Sequence, residues 1–353
     1  MNSTHSFLSD TLAGSANQSF VKTDGTPKGC RVYYKLFGGG SQYKVYFADT
    51  VFSTFADGTH SVCNTELGGW SIYGMTAGIC RDCGMDMPAS PKEVLKVTFG
   101  GKDKVTLSAG EEAETDVINI NAKSGDYLCL SYVVEGEKHP CHPEIQIPAF
   151  SVKNGKWEKD TNIPVPYKIG VKRSAEKTIC FLGDSITQGI GATPNGYSHW
   201  ASVAADIIGT SYAFHNLGIG YGRASDAATD GIWLSKAKEC DVCVLCMGTN
   251  DILQGAAAEE TAKSVLNIAC ALGKAGVKVL LLTIPPFEYS EECALRQKKA
   301  NELLKAHFPA IFNNNDFLCE NGNVAKPVYG GHPNDIGCKI WGEKIAEYIK
   351  EHI

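Results

Sequence analysis

The sequence predicts an α/β fold class in two domains: an all-β sandwich, then a three-layer α/β/α domain around a parallel sheet, dividing near residue 173. Three observations carry this. From about residue 30 to 150, short strands of alternating polarity are separated by turns; after the boundary, short apolar runs alternate with segments of helical period. The first of those runs ends abruptly in Gly-Asp-Ser, within FLGDSITQG at 181–189. With 353 residues the chain has the length of two ordinary domains.

In the first half, RVYYKLF, YKVYFADTVFSTF, EVLKVTF, KVTLSAG, DVININA and YLCLSYVV read as strands. In DVININA, Ile118 and Ile120 alternate with Asn119 and Asn121, the signature of a strand with one buried and one wet face. Many short strands of this kind favour a sandwich. The stretch KNGKWEKDTNIPVPYKIGVKRSAEK, containing Pro and Lys, then leads into the second domain, so the expected spans are 1–173 and 174–353.

There the runs TICFL (178–182), SYAFHNL (211–217), VCVLCM (242–247) and VKVLLLTI (277–284) supply buried parallel strands. In 257–275, Ala262, Val265, Leu266, Ala269 and Leu272 recur at helical spacing, and Gly276 supplies a stop. Segments 291–308 and 336–352 behave similarly.

Composition excludes several classes of function. Apolar residues make up 43% and charged residues 20%, a globular profile. A net charge of -6 without Lys or Arg runs gives no footprint for nucleic acid or an anionic membrane. No run of 18 apolar residues occurs, and the N-terminal residues MNSTHSFLSDTLAGSANQSF lack a secretion signal, so a cytoplasmic location is expected. The fourteen cysteines then read as reduced thiols. Cys240, Cys243 and Cys246 cannot share one strand face, which assigns them to core packing.

In an open parallel sheet, chemistry sits beyond the carboxyl ends of the strands. GDSIT lies at that edge. A glycine there permits a sharp turn, and Ser185, at a helix start, offers both a hydroxyl and an N–H that lacks an intrahelical acceptor. The alternative for Asp184 or Ser185 is simple capping. The other strand ends add NLGIGYGRASD (216–226), whose glycines admit close backbone approach, and MGTNDI (247–252), whose Asn250 can aim an amide at an oxyanion. GGHPNDIG (330–337) places His332, a proton acceptor, just before the last helix.

The ordered blocks GDSIT, NxGxxxG, GTND and HPND resemble the SGNH hydrolase superfamily, also called GDSL-type esterases, over about 178–353. The resemblance implies a flavodoxin-like three-layer fold and metal-free, cofactor-free serine ester hydrolysis. It further implies Ser185 as nucleophile and His332 as base, with the Ser185 N–H, a glycine N–H of the second block and Asn250 as oxyanion donors. The family glycine usually opens the second helix, which favours Gly222, while a loop one residue longer than usual leaves Gly220 open. VTFGGKDKVTLSAG and SGDYLCLSYVV resemble the jelly-roll-like β domain that precedes the catalytic domain in two-domain bacterial carbohydrate esterases. The implied substrate is a small-molecule or oligosaccharide ester, with acetyl as the acyl group.

One position departs from the family pattern. Most members carry an Asp three residues before the histidine; here it is Tyr329. Asp335, three residues after His332, is expected to begin or cap the last helix, so a Ser–His dyad is the reading adopted, with a main-chain carbonyl of 328–331 accepting the Nδ1–H. Tyr329 also motivates an inactive carbohydrate-binding relative, and the fold admits a lipid or thioester hydrolase. CRDC (80–83) with HPCHP (139–143) has the ligand types of a zinc site, but loop thiols and surface histidines are the simpler account. His199 and Trp200 either line the pocket or fill the core, and no G-x-G-x-x-G opens the first helix, against a dinucleotide cofactor.

Overall fold

Alternation within the N-terminal strands sorts their side chains into one shared core. In Lys28–Lys35, Cys30, Val32 and Tyr34 are buried and point into the sandwich, as do Tyr43, Val45 and Phe47 of Gly39–Ala48. The computed structural model describes residues 7–14, 17–53, 63–81, 88–320, 323–324, 327–329 and 331–353. One sheet orders Phe7–Ser9, Lys168–Lys172, Gly39–Ala48 and Glu112–Glu114, with Ile118–Lys123 also on Gly39–Ala48. The facing sheet orders Lys156–Lys159, Ala149–Lys153, Lys28–Lys35, Tyr127–Glu135, Trp70–Cys80 and Leu95–Lys96, with Lys104–Leu107 also on Trp70–Cys80. Ile118 is buried and Asn119 and Asn121 exposed, the face pattern expected of DVININA.

Two expectations need correction. The Pro- and Lys-containing stretch is not simply a connector, because Lys156–Lys159 and Lys168–Lys172 are strands of the two sandwich sheets. EVLKVTF forms only the short strand Leu95–Lys96, which leaves Val94 and Leu95 exposed at the sheet edge.

The second domain is built on four parallel strands, Thr178–Gly183, Ala213–Gly218, Val242–Cys246 and Lys278–Leu281, with the first between the second and third. A parallel bridge between Leu282 and Phe312 marks a fifth position beside the last strand. Helices Trp200–Ile208 and Asp335–His352 cover one face, where Trp200 stacks on Trp341 at 4.7 Å. Helices Ile232–Lys238, Ala258–Lys274 and Glu291–His307 cover the other. Cys243 and Cys246 are buried on opposite faces of the sheet, as the period of two requires.

The domains are joined by specific contacts. Lys236 pairs with Glu112 at 2.6 Å, Arg173 donates to the carbonyls of Thr210 and Tyr212, and Asn216 donates to the Leu12 carbonyl. Among the described residues no helix is long and apolar enough to cross a membrane, and no three His, Cys, Asp or Glu side chains are grouped to hold a metal ion. Of the zinc candidates, Cys80, His139, Cys141 and His142 are buried, so the histidines are core rather than the surface residues expected, and Cys83 lies outside the described residues.

Candidate active site

The question posed by a buried strand ending in Gly-Asp-Ser is answered by space. A Cβ on Gly183 would overlap the Thr187 hydroxyl and lie 2.7 Å from the Cys246 carbonyl oxygen, so only glycine lets the chain fold straight back into a helix. That helix, Ser185–Gln188, is capped by Asp184, which accepts from the Ile186 N–H at 3.0 Å, and ends at Gly189 with φ 112°. The capping reading of GDSIT thus holds for Asp184, and the same turn leaves Ser185 at the first position of the helix. Ser185 is half-buried at the carboxyl edge of the first parallel strand.

Its hydroxyl meets His332, with Oγ and Nε2 2.8 Å apart across 147 positions of sequence. His332 is only 6% exposed and is gripped from several sides. The Phe287 ring meets the imidazole edge to face, with centroids 5.1 Å apart. Gly191 and Gly331 have φ of 94° and 91°; a Cβ on the first would lie 2.7 Å from the His332 Cβ, and one on the second 2.5 Å from the Glu288 nitrogen. Tyr329 stands opposite His332 in the short hairpin of Pro327–Tyr329 with His332–Pro333. Within 328–331, residue 330 lies outside the described residues.

Asp335 opens the last helix, but the cap is its neighbour: the Asn334 side chain accepts from the Gly337 N–H at 3.0 Å. The Asp335 carboxylate faces the loop before the second helix, accepting from the Thr193 N–H (2.7 Å) and hydroxyl (2.5 Å) and from the Ser198 hydroxyl (2.6 Å). Burial alone would raise its pKa, but these bonds outweigh it and hold the carboxyl below its ordinary value.

The second and third blocks converge on the same edge. The Asn216 side chain donates to the Thr187 carbonyl at 3.1 Å and accepts from the Gly218 N–H at 2.8 Å, tying strand end to helix. Asn250, 9% exposed, donates one side-chain N–H to the Gly222 carbonyl at 2.9 Å, leaving the amide's other N–H for a ligand. The Gly220 N–H donates to the Gln188 side-chain oxygen at 2.5 Å and is thereby occupied. The Gly222 N–H closes a turn onto the Ile219 carbonyl at 3.1 Å, with Tyr221 between the glycines at φ 61°. An oxyanion must therefore share or replace that turn bond to use Gly222.

Of the two undecided residues, His199 caps the helix Trp200–Ile208 and Trp200 is fully buried, its indole N–H on the Ile186 carbonyl at 3.1 Å, so both are structural. Sequence reasoning passed over Phe287 and Gln188. The signal for Phe287 was its place in the loop after the fourth parallel strand, at the reactive edge; Gln188 carried no signal apart from adjoining GDSIT.

Asp184 gives a pH prediction. Burial pushes its carboxyl up to about 7, against the lowering effect of the Ile186 N–H. A carboxyl whose folded pKa is raised holds its proton in the native state, so it stabilises fully below the unfolded pKa and loses that contribution as pH rises through about 7. Asp184→Asn keeps a good cap without the titration. Melting temperatures between pH 5 and 8 should fall less with pH in this variant than in wild type, and parallel curves would refute the assignment.

Residues 181–340 match the GDSL-like Lipase/Acylhydrolase family. Curated proteins give no match to the chain. Among solved structures, a carbohydrate acetylesterase from Sinorhizobium meliloti is 19% identical, with TM-score 0.43, over 50% of this chain and 100% of its own. The aryl esterase of M. smegmatis is 17% identical, with TM-score 0.42, over 50% and 100%. An acetyl xylan esterase, AlAXEase, is 23% identical, with TM-score 0.39, over 50% and 99%.

Proposed function

We propose that this protein, whose residues 181–340 match the GDSL-like Lipase/Acylhydrolase family, is a serine esterase that removes small acyl groups, acetyl above all, from carbohydrate esters. The observation that carries the reading is the 2.8 Å contact of Ser185 Oγ with His332 Nε2 at the carboxyl edge of the parallel sheet. His332 takes the hydroxyl proton as Ser185 Oγ attacks the ester carbonyl. The oxyanion so formed lies near the Ser185 N–H, the second Asn250 N–H and the Gly222 N–H. Collapse expels the alcohol, protonated by His332, and water then repeats the sequence on the acyl-enzyme. The acyl and sugar preferences rest on the resemblance of both halves to two-domain carbohydrate esterases.

Buried thiols in both domains, such as Cys30 and Cys180, suit a reducing compartment and support a cytoplasmic location. The lipid or thioester alternative needs an apolar channel beside Ser185. A nitrophenyl ester series of increasing chain length separates the two, since the proposed enzyme prefers acetyl and a lipase prefers long chains. Acetylated sugars follow as the test of the alcohol. Labelling of Ser185 by a fluorophosphonate excludes the inactive relative, and no labelling together with no hydrolysis would sink the esterase reading.

Asn250→Ala removes one proposed donor and should lower kcat on the order of 10²–10³-fold. An unchanged kcat would take Asn250 out of the oxyanion hole.

A further inference from the structure

Gln188, the last residue of the nucleophile's helix, is fully buried and uses both ends of its amide. Its Nε2 donates to the Glu144 carbonyl at 2.6 Å, and its Oε1 accepts from the Gly220 N–H at 2.5 Å. Glu144 belongs to the β-sandwich half, in the segment that also holds His142. It is clamped in turn by Gln18: the Gln18 Nε2 donates to its carboxylate and the Glu144 N–H donates to the Gln18 Oε1 at 3.3 Å. A Cβ on Gly220 would overlap the Glu144 carboxylate, and one on Gly14 would lie 2.8 Å from the Gln188 Cγ. Sandwich segments thus enclose both the helix end and the glycine loop.

The loop that follows the strand Ala213–Gly218, residues 219–222, has two glycines and is neither helix nor strand. Left to itself it would sample many conformations, because glycine restricts the backbone least. Its backbone is tied by the Ile219 N–H to the Gly183 carbonyl and by the Gly222 N–H to the Ile219 carbonyl, both at 3.1 Å, and two side chains hold it further. The Gly222 carbonyl is held by Asn250, a proposed oxyanion donor, and the Gly220 N–H by Gln188, one turn from Ser185. The Gln188 bond is thus the tie that joins the loop's middle to the nucleophile's helix, and a loose donor loses much of its catalytic value.

We propose that Gln188 is a positioning residue through which the β-sandwich, by way of Glu144, fixes the glycine loop at the oxyanion position. This rests on the esterase reading and adds to it: the sandwich is a working part of the catalytic site.

The test compares full-length Gln188→Met, Glu144→Ala and Glu144→Gln with wild type on nitrophenyl acetate, alongside melting temperature and hydrogen exchange at the Gly220 amide. Gln188→Met keeps the volume and loses both bonds. It should lower kcat by about tenfold or more, a part of what a whole oxyanion donor is worth, with KM little changed and Gly220 exchanging faster. Glu144→Ala keeps the carbonyl that Gln188 uses and the N–H that reaches Gln18 but loses the carboxylate's bond to Gln18, so a several-fold loss of kcat is expected, restored by Glu144→Gln. A residue that only stabilises the fold would lower the melting temperature and leave kcat, KM and the Gly220 amide alone; that pattern, or equal losses in the two Glu144 variants, overturns the proposal. Should Gln188→Met fail to fold, the half-buried Glu144 pair decides. A wild type that neither hydrolyses esters nor reacts with a fluorophosphonate sinks the esterase reading instead, while exchange at Gly220 still reads the strut.

Discussion

Ser185→Ala should abolish ester hydrolysis, with a loss on the order of 10⁶ in kcat, the scale at which removing the nucleophile of a catalytic Ser–His unit acts. The residual rate is whatever binding and the oxyanion donors supply without covalent catalysis. Folding should survive. Among the described residues the hydroxyl's side-chain partner is His332, and a net contribution of about 1 kcal/mol is the usual worth of such a bond. The sharp turn is built by Gly183 and by the Asp184 cap, neither of which the substitution touches. Kinetics on an acetyl ester, a melting curve and fluorophosphonate labelling together check this. A folded variant that kept most of its activity would remove Ser185 as the nucleophile, whatever its distance from His332.

The parts of the fold legible in the sequence were those whose burial is local. TICFL and VCVLCM are apolar on both faces, so their place in a sheet covered on both sides follows from composition alone, and the strands observed are Thr178–Gly183 and Val242–Cys246. Lys168–Lys172 was not legible as a strand, because its partners, Phe7–Ser9 and Gly39–Ala48, lie more than a hundred positions upstream. The same limit applied at the site. GDSIT, GTND and HPND each sit at a strand end or helix start and announce themselves, whereas the Gln188 bond to Glu144 spans 44 positions and two domains. Asn334 and Asp335 are both capping residue types, and composition does not say which of two neighbours caps. The structure assigns the cap to Asn334 and turns Asp335 toward Thr193 and Ser198.

That last assignment sets the contrast between His332→Ala and Asp335→Asn. Without the imidazole, Ser185 is an ordinary hydroxyl with no acceptor for its proton, and kcat should fall by roughly 10⁴-fold or more. Asp335→Asn should keep most of kcat, because the carboxylate is spent on the 193–198 loop. Its cost falls on stability instead. Three donors converge on the carboxylate, and an amide offers only one oxygen to them, so a loss of about 1–2 kcal/mol is expected. The pH dependence has a definite sign. A carboxyl with a lowered folded pKa stabilises above its unfolded pKa and loses that contribution as pH falls through the folded value, so wild type should lose part of its advantage over Asp335→Asn on acidification. This pattern, a dead His332 variant beside an active but less stable Asp335 variant, is that of a dyad. If Asp335 instead oriented the imidazole, the amide would support the wrong tautomer and the loss would approach the roughly 10⁴-fold of a triad Asp replaced by Asn. A fall of that size with an unchanged melting temperature would replace the dyad with a triad whose acid follows the histidine.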